Sequence, residues 1–279
     1  MATNKKATAV AAIALTLAAA AGGVFWYQQK NRQEAPITDI EQEITEITEP
    51  STTEPIKGMS LEGAAIGDEP GMTGKAKVLL QKNADTVGWI TIPGTKVDNP
   101  IVQSDDDEFY LDMGYDHKPY RAGTVFLDFR DRFGDDEAAQ SDNQILYGHN
   151  MANNEMFGSL RRYRQDYSYW KTAPFIELES NYRSYTYVIF GLVITDGSAN
   201  ATWRYWNMED FATEDEFNAF VEIVKQKNLT TIPVDVRPGD KLLTLSTCYS
   251  DADDSRFLVI ARRVRPDENA DTFKALFAE

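Results

Sequence analysis

One cysteine, two histidines and one arginine carry most of the chemistry that this sequence of 279 residues offers. Cys248, the only cysteine, ends the apolar run Lys241-Leu-Leu-Thr-Leu-Ser-Thr-Cys248. Seven turn-rich residues follow (Tyr-Ser-Asp-Ala-Asp-Asp-Ser), and Arg256 then opens a second apolar run. Such a turn returns the chain antiparallel, which sets a thiol at the end of one strand against a guanidinium at the start of the next. Leu243 and Leu245 share one strand face; Thr244, Ser246 and Cys248 share the other. A half-polar face ending in a thiol is unusual for a core and suits a pocket. A lone cysteine has no internal disulfide partner, so it is either a buried passenger or a reactive thiol.

Nucleophilic thiol chemistry needs a thiolate, a proton carrier and a donor for the developing oxyanion. His117 lies in the charged loop Asp116-His-Lys-Pro, where a solvated histidine is the ordinary explanation. His149 follows an apolar strand in Gln144-Ile-Leu-Tyr-Gly-His149, and Gly148 allows close backbone approach, so His149 is the favoured carrier. Arg256 has two readings: an ion pair with the aspartates of its own loop, or a catalytic donor that also favours the thiolate. It keeps its proton at any working pH and acts only as donor and charge.

These residues need a scaffold. From about Gly74 the chain reads as a short helix (75–85), then short strands at 87–93, 97–103, 123–129 and 144–149, with one helical turn at 107–111. Met156, Leu160, Tyr163 and Tyr167 stand at helical spacing, with Asn153 or Asn154 as the cap. Two strands follow (175–178 and 185–195), and a capping box, Thr213 to Glu216, opens a helix with Phe217, Phe220, Val221 and Val224 on one face. That helix interrupts the strand succession, so 197–232 reads as an insertion before the cysteine strand. The fold class expected is mainly β with peripheral helices, a closed barrel rather than an alternating α/β sheet.

The N-terminal seventy residues differ in kind. Lys5 and Lys6 precede an uncharged stretch from Ala7 to Tyr27, long enough for a membrane helix with its N-terminus in the cytoplasm. The alternative is a cleaved signal peptide, with Ala18 to Ala21 offering small residues to a peptidase. Either reading exports the rest. Residues 33–70 hold ten acids and one base, so this segment carries −9 of the net −16. It has little apolar content and reads as a solvated stalk. The domain expectation is therefore an anchor at 1–32, a stalk at 33–72 and a catalytic domain at 73–279. The acidic balance excludes phosphate-backbone binding, and nucleic acid is not an expected partner. The acidic runs 104–108 and 134–137 lack the spacing of a calcium loop, so no metal and no cofactor are expected.

Thr244-Leu-Ser-Thr-Cys248, the arginine eight residues later in Ser-Arg-Phe-Leu-Val-Ile-Ala-Arg, and the upstream Tyr-Gly-His-Asn-Met together resemble the sortase family of Gram-positive bacteria. The helical insertion and Ala122-Gly-Thr-Val-Phe-Leu-Asp-Phe-Arg130 resemble class B sortases, and the similarity runs over about 75–265. The resemblance implies an eight-stranded β-barrel and a membrane-bound cysteine transpeptidase with its catalytic domain outside the cell. Such an enzyme cleaves a C-terminal sorting signal of an exported protein after threonine. It then passes the thioacyl group to an amine of a peptidoglycan precursor or a pilin lysine. Carried across by motif, Cys248, His149 and Arg256 are the catalytic set, and Ser246, Thr247, Leu111 and Asp107 are substrate-binding positions. Asp107 stands where some class B members have asparagine, and an ionised aspartate cannot donate the hydrogen bond that asparagine can. Two rivals remain: a cysteine hydrolase that uses water as acceptor, and a non-enzymatic surface domain with an inert thiol.

Overall fold

The structure, a computed structural model, describes residues 71–248 and 254–269, together with Thr272, Phe273 and Phe277; of Cys248 it describes the main chain. The anchor and nearly all of the stalk lie outside the described residues. Among the described residues no helix is long and apolar enough to cross a membrane.

Eight strands close into one barrel: β1 (Thr86–Thr91), β2 (Asp98–Val102), β3 (Phe126–Leu127), β4 (Asn143–Tyr147), β5 (Phe175–Ser180), β6 (Ser184–Asp196), β7 (Leu242–Cys248) and β8 (Ser255–Arg263). Their order around the barrel is β1-β2-β3-β4-β7-β8-β6-β5, and β5 pairs with β1 to complete it. The contacts β2–β3 and β4–β7 are parallel; the rest are antiparallel. The closed eight-stranded barrel with few helices is the fold class expected from the sequence.

Helix α1 (Gly74–Lys82) starts at Thr73, whose hydroxyl accepts the Ala76 amide. It stops short of the expected Asp85 because the Asn83 side chain leaves the helix to donate to Tyr110 Oη and the Tyr115 carbonyl. A larger correction concerns the helix expected around 156–167. Asn154 and Met156 adopt left-handed backbone (φ 70° and 48°), which a helix cannot continue through. Asn153 Oδ1 accepts the Glu155 amide in a local turn rather than capping a helix. Only a 3-10 turn (Gly158–Leu160) and α2 (Arg161–Gln165) are helical, and Tyr167 is exposed. Met156, Leu160 and Tyr163 are all buried, so their spacing reported burial and not a continuous helix.

The insertion behaves as its sequence suggests. Thr213 accepts the Glu216 amide and opens α3 (Glu214–Lys227), although the Glu216 carboxylate reaches back one residue further than expected, to the Ala212 amide. Acids fill its first turn and Lys225 and Lys227 its last, complementing the helix dipole. Phe217, Phe220, Val221 and Val224 are buried. Gly191 in β6 makes room for this: a Cβ there would meet Val224 Cγ1 at 2.6 Å.

Candidate active site

The residues singled out by the sequence fall at one end of three neighbouring strands. Cys248 closes β7, and its backbone pairs with that of Arg256 near the start of β8. The parallel register of β4 with β7 runs from Asn143–Leu242 to Tyr147–Ser246 and continues through a bond from the Gly148 amide to the Ser246 carbonyl. His149 follows directly, just past the end of β4, at the end of β7 that Cys248 closes. His149 beyond β4, Cys248 at the end of β7 and Arg256 near the start of β8 therefore belong to the same end of three neighbouring strands, which run about 5 Å apart.

His149 is pinned on both sides. Phe157 donates its amide to the His149 carbonyl at 3.0 Å, and the Phe157 ring packs so closely on Gly148 that a Cβ there would lie 2.8 Å from it. The imidazole Nε2 lies 2.7 Å from the Leu111 carbonyl oxygen. A carbonyl oxygen only accepts, so Nε2 carries a proton, and Nδ1 is the nitrogen left to exchange one. Leu111 ends a 3-10 turn (Phe109–Leu111), and its side chain is exposed, as are those of Phe109 and Phe129. Gly123 (φ 60°) backs this turn: a Cβ there would meet the Tyr110 and Leu111 carbonyl oxygens at 2.3 and 2.6 Å. Glycine is required at 123 by both its conformation and the contact.

Arg256 is partly buried and lies across Gly197, where a Cβ would meet its Cγ at 2.6 Å and its Nε at 3.0 Å. Asp196 next door is held below the usual carboxylate range by the Ser198 amide and hydroxyl, with the Arg256 charge adding to this. Beside this arginine opens a cleft of about 550 Å³ lined by Thr195, Asp196, Asp254 and Ser255 from the strand ends and by Trp203 and Lys227 from the insertion.

The polar face of β7 is not an open pocket wall over most of its length. Thr244 and Ser246 are buried; Thr244 donates to Asn143 Oδ1, and the Ser246 and Tyr205 hydroxyls share a hydrogen bond of 2.7 Å. Thr247 is 4% exposed and its hydroxyl has no partner among the described residues. His117 lies away from these strand ends, bonded to Tyr110 Oη and Asp85 Oδ2.

A polar network under His149 escaped the sequence reading. Asp128 is fully buried and receives Arg130 through a fork (Nε–Oδ1 2.8 Å, Nη2–Oδ2 2.7 Å) and the Tyr147 hydroxyl at 2.9 Å. Arg130 also donates to the Trp206 carbonyl, tying the insertion to β3. Burial raises the Asp131 carboxyl to about 8, with the Asp128 and Glu209 charges adding to it. Asp131 Oδ1 and Glu209 Oε2 are both buried without a hydrogen-bond partner among the described residues. The available signal was Leu127-Asp-Phe-Arg130, where an acid and a base stand two apart on one strand face. Asp107 joins this network through the Phe129 amide at 3.0 Å.

Comparison with known proteins gives a consistent result. The model of the sortase domain matches residues 90–264. A sortase B of Listeria monocytogenes is 36% identical over 175 residues, which are 62% of this chain and 67% of that protein. A sortase B of Bacillus anthracis superposes with a TM-score of 0.60 at 31% identity, covering 71% of this chain and 88% of that one. A substrate complex of Staphylococcus aureus sortase B superposes with a TM-score of 0.61 at 28% identity, covering 70% of this chain and 86% of that one.

Proposed function

Because the chain belongs to the sortase family, and is therefore a cysteine transpeptidase of cell-wall sorting, we propose that Cys248, His149 and Arg256 carry its thioacyl transfer. The observation that supports this assignment is the strand register, which aligns the ends of β4, β7 and β8. The Cys248 thiolate attacks the carbonyl of a threonine in the sorting signal. Imidazolium His149 gives its Nδ1 proton to the departing amine, and the thioacyl enzyme remains. Neutral His149, still donating from Nε2 to Leu111, then takes a proton at Nδ1 from the incoming amine as that amine attacks the thioester. Arg256 donates to the oxyanion in both steps and favours the thiolate by its charge.

The signal is cleaved after threonine and read at the exposed Leu111, with the buried Ser246 and Thr247 supporting β7 from behind, while the insertion at 197–232 sets signal preference through its side of the cleft beside Arg256. The acceptor is an amine of a peptidoglycan precursor or a pilin lysine. Residues 1–32 anchor the chain, 33–72 form a stalk, and 73–279 are the extracellular catalytic domain.

The test incubates the full-length chain with Asn-Pro-x-Thr-Asn and x-Pro-x-Thr-Gly peptides and with triglycine, diaminopimelate-bearing or lysine amines, and reads products by mass. Cleavage after threonine with amine capture, lost in Cys248→Ala and His149→Ala, is the expected outcome. Capture by water alone across all amines would make the protein a hydrolase in practice.

A further inference from the structure

Asp107 occupies a position where the sorting signal is expected to be read, yet its carboxyl group is turned to the protein. Its Oδ1 accepts the Phe129 amide at 3.0 Å, and the Asp128 charge acts on the group. Asp128 in turn is held by the Arg130 fork and the Tyr147 hydroxyl. A carboxyl group beside a negative charge ionises less readily, which favours the protonated form of Asp107.

From Asp107 the chain enters a tight turn at once. Asp106 Oδ1 accepts the Glu108 and Phe109 amides at 2.9 and 2.8 Å, and Tyr110 is buried with its hydroxyl donated to Asp85. The turn ends at Leu111, whose carbonyl oxygen meets His149 Nε2 at 2.7 Å with Gly123 packed behind it. One end of this short lever is fixed by Asp107 and the other sets the imidazole.

We propose that Asp107 is a positioning residue for His149: docked on the Phe129 amide, it holds the turn whose Leu111 carbonyl keeps the imidazole proton on Nε2. The proposal rests on the reading of His149 as proton carrier, and it removes Asp107 from the residues that read the signal. The groups that face Asp107 are Asp128, Arg130 and Tyr147 on the barrel side, with Asp105, Asp106 and Glu108 on its own loop. Burial, and then the Asp128 charge, push the Asp107 carboxyl up to about 6, against the Phe129 amide and Arg130. Protonated Asp107 adds no charge beside Asp128 and the latch holds; as pH rises through about 6 it becomes a second carboxylate and the latch loosens. An asparagine at 107 is uncharged at every pH.

The experiment uses the full-length chain, the signal peptide that it cleaves, and the variants Asp107→Ala and Asp107→Asn between pH 5 and 8. It reads kcat and KM separately and follows the imidazole nitrogens by NMR; with two histidines in the chain, the His149 signals are identified by their loss in His149→Gln. At pH 5.5 Asp107→Ala is expected to lower kcat about tenfold or more with KM within about twofold. Its neutral His149 should become a mixture of the two tautomers. Asp107→Asn should keep the Nε2–H form, and its kcat relative to the parent should rise about threefold or more as pH passes 6. An unchanged tautomer in Asp107→Ala, or a tenfold higher KM at constant kcat, overturns the proposal; the second result makes Asp107 a signal contact. Full activity in His149→Ala would instead remove the assignment of His149, while the ring spectra would still decide whether Asp107 sets that ring.

Discussion

β7 meets β8 through seven consecutive antiparallel pairs, from Leu242–Arg262 to Cys248–Arg256, and β8 continues into nine paired positions on β6. On its other side β7 meets β4, which leads to a β3 of only two residues. The Cys248–Arg256 side is therefore positioned by backbone register, in which a slip of one residue would turn every side chain to the wrong face. The His149 side shares the five-pair ladder of β4 with β7 but has only two pairs with β3 beyond it, and there it relies on side chains: Asp128 on Arg130 and Tyr147, and Asp107 on the Phe129 amide. A register resists single substitutions, whereas a polar network does not. The two sides of the proposed active site should thus differ in how easily they break.

The largest expected effect is on the network side. Asp128→Ala leaves the Arg130 guanidinium and the Tyr147 hydroxyl without their buried acceptor, at a cost of about 3 kcal/mol. Thermal melting should fall by about 6–12 °C; a loss below about 1 kcal/mol would mean that the short strands hold this side by themselves. On the register side the expected damage is to rate and not to stability. Gly197→Ala pushes against Arg256 Cγ, so kcat/KM should drop about 10–100-fold while melting stays within about 2 °C. Coupled losses of rate and stability would show instead that Gly197 is needed by the backbone.

A pH series separates the sides further. Asp131 binds its proton more tightly folded than unfolded, so its contribution to stability is full below about 4 and is lost as pH climbs to about 8. Asp131→Asn, which has no charge to bury, should gain about 1–2 kcal/mol over the parent above pH 8, and the gain should shrink toward pH 4. A gain independent of pH would assign the effect to packing. The smallest change belongs to Tyr205→Phe. It strands the buried Ser246 hydroxyl of β7 at about 1 kcal/mol, and because the register is untouched KM for the signal should not move. A raised KM would show that the Tyr205–Ser246 pair serves the signal.

The elements legible in the sequence are those set by local rules. The β7–β8 turn, the Thr213 cap and the apolar face of α3 each depend on residues a few positions apart, whose periodicity or turn chemistry leaves few alternatives. The misreading at 156–167 came from the same kind of rule. Buried residues at helical spacing also arise in an irregular chain wrapped over a core, and left-handed Asn154 and Met156 leave no periodic trace. The polar face of β7 misled for a different reason. Whether Thr244 and Ser246 line a pocket depends on what covers them, and their partners Asn143 and Tyr205 lie 101 and 41 residues away.

By itself, then, the sequence determined the chemical types, their strand-end positions and their pairing: a lone Cys248, an Arg256 one hairpin away, and a His149 after a strand. It did so because hairpin register and residue chemistry are local. Only the tertiary structure decided that β4 lies parallel to β7, bringing the segment that leads to His149 to the strand end closed by Cys248, and that the Leu111 carbonyl meets the imidazole at Nε2. Only there, too, does Asp107 come under the charge of Asp128, since burial and that charge act on its carboxyl group once the fold gathers two acids 21 residues apart in the chain.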